Sequence, residues 1–330
     1  MRNLVKRLAR RSKTAIILYK MLDNGRLKRR IESGDIETLH GSTHIDRDVT
    51  ESLAYVEKQF GNYINYGRLS PESLRGARIL ELGPGDNLGV ALKFLAAGAG
   101  SVVCLDRFYS KRDVAHEAEI YRALRERLNP DEKTRFDEAI SLTETIQINP
   151  QKLRTVYGAT LDRFAENFAP DEQPFDLIVS CAVLEEIYDP DPAFAAMDKL
   201  LSRGGRLIHT IDLGDYGMFR EQGMHPLTFL TISESVYRRM ASDSGLPNRK
   251  RLGYYLEKMK ELGYESEFFV TSVIPTGRLQ PVPQYVPGSL GLNASGVVNE
   301  IRNRLAAEFK QLDDEQLLID GVLLVARKPQ

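Results

Sequence analysis

The chain of 330 residues has few cysteines and no long apolar run, and each shortage excludes a class of protein. Two cysteines cannot form a disulfide scaffold, and they cannot furnish a structural zinc site by themselves. The five histidines are scattered, and only His40 and His44 have the spacing of a helical pair, without a third ligand nearby, so we expect no metal. No apolar run reaches the roughly 18 residues of a membrane-spanning helix. The longest early candidate, residues 15–22, is short and contains Lys20, so no secretory signal is predicted and the expected location is cytoplasmic.

The net charge of −1 conceals a strong asymmetry along the chain. Residues 1–30 contain eleven Lys and Arg against the single acid Asp23, which leaves the other three hundred residues acidic. An acidic body argues against nucleic-acid binding. The basic segment is compatible with peripheral contact at the inner face of a membrane, or with packing on the acidic body. Oligomeric state cannot be derived from these features.

From residue 77 onward, short apolar strands alternate with helices. Strands are expected at 77–82, 101–106, 154–157, 175–180, 206–212, 265–273 and 321–327, and helices at 88–97, 115–128, 192–201 and 297–311. The first five strands are nearly continuous apolar runs, as in strands buried on both faces of a parallel sheet. The alternation predicts an α/β fold with a doubly wound, mostly parallel sheet. The long segments 107–153 and 213–264 follow strands, where substrate sites are usually built.

A glycine-rich loop follows the first of these strands, in the segment Ile79-Leu-Glu-Leu-Gly-Pro-Gly-Asp-Asn-Leu-Gly. Its glycines permit a sharp turn and close approach of a ligand. The dinucleotide fingerprint requires glycine where Leu88 stands. Glu81 and Asp86 would repel a pyrophosphate and attract a cation, and S-adenosylmethionine carries a sulfonium and an ammonium. Asp106 ends the next strand, where an acid can accept hydrogen bonds from ribose hydroxyls.

These segments resemble class I S-adenosylmethionine-dependent methyltransferases over residues 76–212. Residues 79–85 are similar to the family's first motif, 102–106 to its second, 175–187 to its fourth-strand motif and 200–208 to its turn into the fifth strand. The resemblance implies S-adenosyl-L-methionine as cofactor and a Rossmann-like, seven-stranded sheet with an antiparallel last strand. It implies that the cofactor is bound by these residues: Glu81, Gly83, Gly85, Asp86, Asp106, Ala159, Thr160, Ser180 and Cys181.

The sequence pattern and the resemblance together divide the chain. Residues 1–75 are expected to be a basic helical extension, and residues 76–330 a methyltransferase domain with insertions at 107–153, 213–264 and 276–318. Where many members have Leu-Glu-His, this chain has Leu184-Glu185-Glu186, so a histidine base is missing there. Segments 209–215, 226–230 and 248–251 are similar to methyltransferases of bacterial glycan and polysaccharide biosynthesis.

Candidate catalytic and substrate-binding residues follow the fifth strand. Asp212, His209 and His225, in that order, are the candidates for a base that takes a proton from a hydroxyl acceptor. A lone histidine on a strand is more often a core residue than a base, so His209 also has a core interpretation. His225 is equally compatible with an ordinary loop role. Arg249 and Arg251 are predicted to bind an anionic group of the substrate, although a solvated helix start would also account for them.

The expected activity is O-methylation of a sugar, a glycan precursor or a similar polar small molecule. A lipid or quinone acceptor at a membrane, and a non-catalytic S-adenosylmethionine-binding protein, remain alternatives. An NAD(P)-dependent oxidoreductase is disfavoured by the glycine spacing and the acidic loop. Methylation of a nucleic-acid base is disfavoured because Ser180-Cys-Ala-Val replaces the Asn/Asp-Pro-Pro-aromatic motif.

Overall fold

A computed structural model describes residues 12–38, 41–169, 171–292 and 295–330. Residues 1–11 of the predicted basic segment therefore lie outside the described residues. The chain divides into two compact units. Unit 1 comprises residues 12–35, 182–190 and 210–324, and unit 2 comprises residues 36–181, 191–209 and 325–330.

The sheet of unit 2 has the strand order β9-β8-β2-β3-β7. Strands β8, β2, β3 and β7 are parallel neighbours, as the continuous apolar runs predicted. Two further pairs are short: β1 runs parallel to β4, and β5 and β6 form an antiparallel hairpin. The strands introduced here are β1 (Glu37–Thr38), β2 (Arg78–Leu82), β3 (Ser101–Asp106), β4 (Tyr109–Ser110), β5 (Ile140–Leu142), β6 (Ile146–Ile148), β7 (Leu153–Tyr157), β8 (Phe175–Cys181) and β9 (Leu201–Asp212).

Helices of unit 2 begin at recognisable caps. Asp48 and Asn129 each form a capping box with a glutamate three residues later, which satisfies two backbone N–H groups. The helices are α2 (Val49–Gly67), α3 (Pro71–Leu74), α4 (Gly89–Ala96), α5 (Val114–Glu126), α6 (Pro130–Ala139), α7 (Leu161–Glu166) and α8 (Asp191–Leu200).

Unit 1 combines helices with the strand order β11-β10-β12. Its elements are α1 (Lys13–Glu32), α9 (Glu234–Ala241), α10 (Leu252–Glu261), β10 (Glu265–Val273), β11 (Gly277–Arg278), α11 (Ser295–Asn299), α12 (Ala307–Lys310), α13 (Asp314–Leu318) and β12 (Ile319–Arg327), whose last three residues belong to unit 2. Three 3₁₀ turns lie at Arg220–Gln222, Thr228–Thr231 and Arg302–Arg304. Its core joins Ile16 of α1 to Phe229, Tyr237 and Leu317.

The predicted α/β fold class is confirmed, and all seven predicted strands are present. The short strand β11, which pairs with β10, is an additional strand that was not predicted. The last strand is antiparallel: Gly204 N–H donates to Lys328 O, and Leu213 N–H donates to Asp320 O. The helix predicted at 297–311 is wrong, because the segment forms α11, a 3₁₀ turn and α12 instead. No helix among the described residues is both long and apolar enough to cross a membrane.

Candidate functional site

The glycine loop lies in unit 2, between β2 and α4. Gly83 and Gly85 have φ of 64° and 67°, in the left-handed region that favours glycine. Gly83 N–H donates to Leu105 O at 2.8 Å, so the turn is tied to the neighbouring strand. A Cβ at position 85 would lie 2.4 Å from Gly41 O, so only glycine fits there.

Asp86 joins this loop to an earlier segment. Its carboxylate accepts hydrogen bonds from the backbone N–H groups of Thr43 at 3.0 Å, His44 at 2.9 Å and Ile45 at 3.1 Å. Its own N–H donates to Gly41 O at 3.2 Å. The predicted cofactor residue Asp86 is thus buried and holds segment 41–45 against the loop, a partner that the motif did not reveal.

Two more of the predicted acids, Glu81 and Asp106, lie at adjacent strands of this site. Glu81 is buried and accepts a hydrogen bond from the Cys104 thiol at 3.5 Å. Burial raises the pKa of Glu81 to about 7. Asp106 accepts a hydrogen bond from Phe108 N–H at 2.9 Å, and burial raises its pKa to about 6. Glu81 is therefore partly protonated at neutral pH, whereas Asp106 becomes protonated as the pH falls through about 6. A cation beside them would favour their ionised forms.

Arg112 is a residue of this site that the sequence analysis missed. Its guanidinium donates to Gly85 O at 3.1 Å, to the Tyr157 hydroxyl at 2.5 Å and to Glu117 at 2.8 Å. Its Nε is buried with no partner among the described residues. Because its partners come from separate segments of the chain, no local pattern could mark it.

Tyr121 extends the same network to the start of α4. Its hydroxyl accepts a hydrogen bond from Leu88 N–H at 2.8 Å and donates to Glu117, which also accepts from Arg112. The loop is thereby held at Gly85 by Arg112 and at Leu88 by Tyr121.

The remaining cofactor candidates also lie in unit 2, at the ends of β7 and β8. Ala159 and Thr160 are half-buried just before α7, and the Thr160 side chain makes no capping hydrogen bond there. Ser180 is fully buried, and its hydroxyl lies 2.7 Å from Nδ1 of His209. Cys181 Sγ lies 3.9 Å from the Tyr55 hydroxyl of α2.

His209 is fully buried, and its ring is neutral near pH 7. Burial lowers the pKa of His209 to about 3. Its Nε2 is buried with no hydrogen-bond partner among the described residues. The Ser180 contact is compatible with the core role that the sequence left open.

The last three residues of β9 belong to unit 1, and Asp212 is exposed at its end beside the buried carboxyl of Glu185. Glu185 accepts hydrogen bonds from Asp212 N–H and from the Tyr216 hydroxyl, both at 2.9 Å. Burial raises the pKa of Glu185 to about 8, so it is mostly protonated at neutral pH. The Asp212 side chain itself accepts from Gly214 N–H at 2.7 Å.

His225 lies in a loop of the same unit, with both ring nitrogens engaged. Its Nδ1 accepts from Leu227 N–H at 3.1 Å, and its Nε2 lies 2.9 Å from Val297 O. Since Nδ1 accepts, Nε2 carries the proton and donates it to that carbonyl. These contacts account for His225 as a loop residue.

Arg249 and Arg251 are both buried, and both hydrogen-bond backbone carbonyl groups. Arg251 donates to Leu213 O at 2.5 Å, to Leu317 O at 3.0 Å, to Gln316 O at 3.2 Å and to Ile319 O. Arg249 donates to Ile232 O at 2.5 Å and to Glu234 at 2.6 Å. Their described contacts are thus with the protein itself.

Unit 1 also contains an open cavity of about 580 Å³ beside these arginines. Its lining carries four acidic and four basic side chains, together with the rings of Tyr188, Tyr254 and Phe309. Some of these charges pair with each other, since Arg249 lies 2.6 Å from Glu234 and 3.4 Å from Glu308. The acidic residues are Asp189, Glu234, Glu257 and Glu308, and the basic residues are Arg238, Arg249, Lys250 and Arg251.

Comparison with known proteins finds a family and a set of similar structures. A family model described as a methyltransferase domain matches residues 62–265. A search of curated proteins finds no match. An S-adenosylmethionine-dependent methyltransferase from Mesorhizobium loti is 15% identical, with 81% of this chain and 98% of that chain covered and a TM-score of 0.39.

Two other similar structures have assigned names. One is a sarcosine dimethylglycine methyltransferase homologue from Galdieria sulphuraria, 18% identical, covering 93% of this chain and 98% of that chain with a TM-score of 0.40. The other is phosphoethanolamine N-methyltransferase 2 from Haemonchus contortus in complex with S-adenosyl-L-methionine. It is 15% identical and covers 87% of this chain and 59% of that chain, with a TM-score of 0.40.

Proposed function

Since the chain belongs to the S-adenosylmethionine-dependent methyltransferase family, we propose that it transfers a methyl group to a hydroxyl of an uncharged polar molecule such as a sugar or glycan precursor. The enzyme uses S-adenosyl-L-methionine as cofactor. The observation that supports the binding site is the pair of carboxyls at the glycine loop of unit 2, that of Glu81 buried and that of Asp106 half-buried.

The charge of this loop fits the cofactor. Burial raises the pKa of Glu81 and of Asp106, because ionising a carboxyl away from water costs free energy. A cation nearby would reduce that cost. The ammonium of the methionine part would supply that charge. Asp106 would accept hydrogen bonds from the ribose hydroxyls, whereas a pyrophosphate would meet repulsion from both carboxylates.

The other contacts with the cofactor are proposed from the positions of the residues along the chain. Residues 83–85 would surround the methionine part, Ala159 and Thr160 would lie beside the adenine, and Ser180 and Cys181 would form the floor. Asp86 would act indirectly, because both of its carboxylate oxygens hold segment 41–45. When bound, the cofactor would supply a methyl group attached to a sulfonium, and transfer of that methyl group would leave an uncharged thioether.

The acceptor is proposed from the chemistry of unit 1. The cavity with four acidic and four basic side chains offers both donors and acceptors to hydroxyl groups, with aromatic faces for the apolar sides of a sugar ring. Asp212 is proposed to take the proton of the hydroxyl, because its side chain is exposed at the end of β9. Glu185 and Tyr216 position the backbone that carries it.

The cofactor part of the proposal is tested by calorimetric titration with S-adenosylmethionine and with NADH. We expect binding of the first alone, and a loss of about tenfold or more in Asp106→Asn, which removes a charged acceptor. The matched control is Asp171→Asn, at an exposed carboxylate of the same unit. Binding of NADH without S-adenosylmethionine, or equal binding by both variants, would contradict this assignment.

The acceptor part is tested with methyl-labelled cofactor on panels of sugars, amines, lipids and quinols. We expect label on a sugar hydroxyl and a strong loss of turnover in Asp212→Asn with unchanged cofactor affinity. Label on a lipid or quinol alone would replace the glycan acceptor while leaving the methyltransferase assignment intact. Failure of every panel, with normal cofactor binding, would support the non-catalytic alternative.

A further inference from the structure

Helix α1 of unit 1 is fixed to its neighbours by one face. Asn24 is buried, and its amide donates to Ser242 Oγ at 3.1 Å and to Arg239 O at 3.2 Å, while accepting from Asp243 N–H at 2.8 Å. About three turns earlier, Lys13 donates to Thr231 Oγ1 at 2.5 Å. The rotation of α1 about its axis is therefore set by these contacts with and around α9.

The opposite face of α1 exposes large apolar side chains. Leu18, Tyr19 and Leu22 are 56%, 59% and 63% exposed. They account for three of the eight large hydrophobic residues that are exposed in the described part of the chain, and they fall within five positions. At 100° per residue, Arg26 and Arg29 share this side of the helix. We call the residues Leu18, Tyr19, Leu22, Arg26 and Arg29 the open face.

The surroundings of the open face are basic. Helix α1 contains six Lys and Arg against two acids, Asp23 and Glu32. Arg30 forms an ion pair with Asp35, and Arg26, Lys28 and Arg29 are exposed. Residues 1–11, outside the described residues, contribute five more Lys and Arg and no acid to the sequence just before α1.

We infer that the open face of α1 docks the protein on an anionic lipid bilayer. Its leucines and tyrosine suit the boundary between headgroups and acyl chains, and its arginines suit lipid phosphates. A second copy of the chain is a poorer occupant, because contact between two open faces would bring like charges together. The inference rests on α1 alone and does not depend on the proposed function.

The small apolar area determines how tight this docking is. Three side chains bury too little surface for binding to neutral lipid, so attraction between the basic residues and anionic headgroups must supply much of the affinity. The interaction is therefore reversible and weakens with salt, because screening acts on exposed charges.

The test is flotation of the full-length protein with vesicles of phosphatidylcholine, alone or with about one third phosphatidylglycerol. We expect binding only to the anionic vesicles. Arg26→Glu with Arg29→Glu should weaken it about tenfold or more, and so should Leu18→Gln with Leu22→Gln. The matched control is Lys260→Glu with Lys310→Glu, at exposed positions of the same unit, which should bind like the wild type.

All variants should bind S-adenosylmethionine normally, which verifies their folding. Equal binding to neutral and anionic vesicles would overturn the inference, and so would an open-face charge variant that binds as the control does. Absence of vesicle binding together with a dimer that dissociates in the Leu18→Gln, Leu22→Gln variant would assign the open face to a second copy instead.

Discussion

The carboxyl of Glu185 accepts the backbone N–H of Asp212 at 2.9 Å, so a buried acid holds the residue that ends β9. The same oxygen accepts from the Tyr216 hydroxyl, and the other oxygen is buried without a partner among the described residues. The sequence marks this position by the missing histidine at 186, and it also left Glu185 open as a solvated residue or a catalytic one. The structural role of Glu185 depends on its burial, which the neighbouring residues in the sequence do not predict.

Glu185 should make stability depend on pH. Its pKa is about 8 in the folded protein, above the value of an exposed glutamate, so its contribution is fully present below about pH 4 and is lost as pH rises to about 8. We expect Glu185→Gln, which resembles the protonated form, to remove this part of the pH dependence. Denaturant unfolding from pH 6 to pH 9 measures it, and equal slopes for both proteins would contradict the pKa.

Cofactor binding should tighten as pH rises. Glu81 and Asp106 have pKa values of about 7 and about 6, and a cationic ligand binds their ionised forms better. We expect affinity for S-adenosylmethionine to increase about tenfold between pH 5.5 and 7.5, with release of protons. Calorimetry in two buffers of different ionisation enthalpy measures both effects. Asp106→Asn should flatten the lower part of this profile, and an unchanged profile would exclude Asp106 from the site.

Asp86 should stabilise the loop through segment 41–45. Asp86→Ala leaves three backbone N–H groups without their acceptor, and we expect a loss of about 3 kcal/mol in the free energy of unfolding. Amide exchange at Thr43, His44 and Ile45 should accelerate. Asp86→Asn keeps one acceptor oxygen, so its free energy of unfolding should lie between those of the wild type and Asp86→Ala. Unchanged exchange at these three amides would show that other contacts hold the segment.

Gly85 should tolerate alanine much less than another left-handed glycine does. Gly263 has φ 71° with open space around it, so Gly263→Ala should cost about 1 kcal/mol for backbone strain alone. Gly85→Ala adds a clash with Gly41 O and should cost about 2–4 kcal/mol. Thermal unfolding compares the two variants. Equal losses would mean that segment 41–45 moves aside.

We expect Arg251 to contribute mainly to stability and little to substrate binding. Because its guanidinium donates to four backbone carbonyls, Arg251→Met should lower the free energy of unfolding by about 3 kcal/mol. Lys250→Met, at the partly exposed neighbouring position, should change it little. Denaturant unfolding and the KM for the acceptor separate the roles. A raised KM with unchanged stability would favour the original substrate-binding prediction.

The sequence predicted those parts of the fold and site that are local in the chain. The loop at residues 83–85 and the acid Asp106 were recognisable because glycine, strand and helix follow one another within a few residues. Arg112 was not recognisable, since its partners Gly85 and Tyr157 are brought to it only by folding. The role of Asp86 was missed for the same reason, because segment 41–45 lies about forty positions earlier.

The wrong prediction of a helix at 297–311 has a different cause. Val298, Ile301, Leu305 and Phe309 recur every three or four positions, which is the pattern of a helix with one buried face. All four are indeed buried, but they belong to or adjoin three short elements. Periodicity therefore reported which residues enter the core, and it could not report that the backbone is interrupted between them.

Three acids with raised pKa values also alter how the whole molecule behaves in an electric field. Glu81, Asp106 and Glu185 carry less negative charge near neutrality than their side-chain type implies. His44 and His209, with pKa values near 4 and 3, offset part of this by remaining uncharged. The folded protein should accordingly focus above the isoelectric point of about 6.6 calculated from its composition, and should return toward that value when denatured.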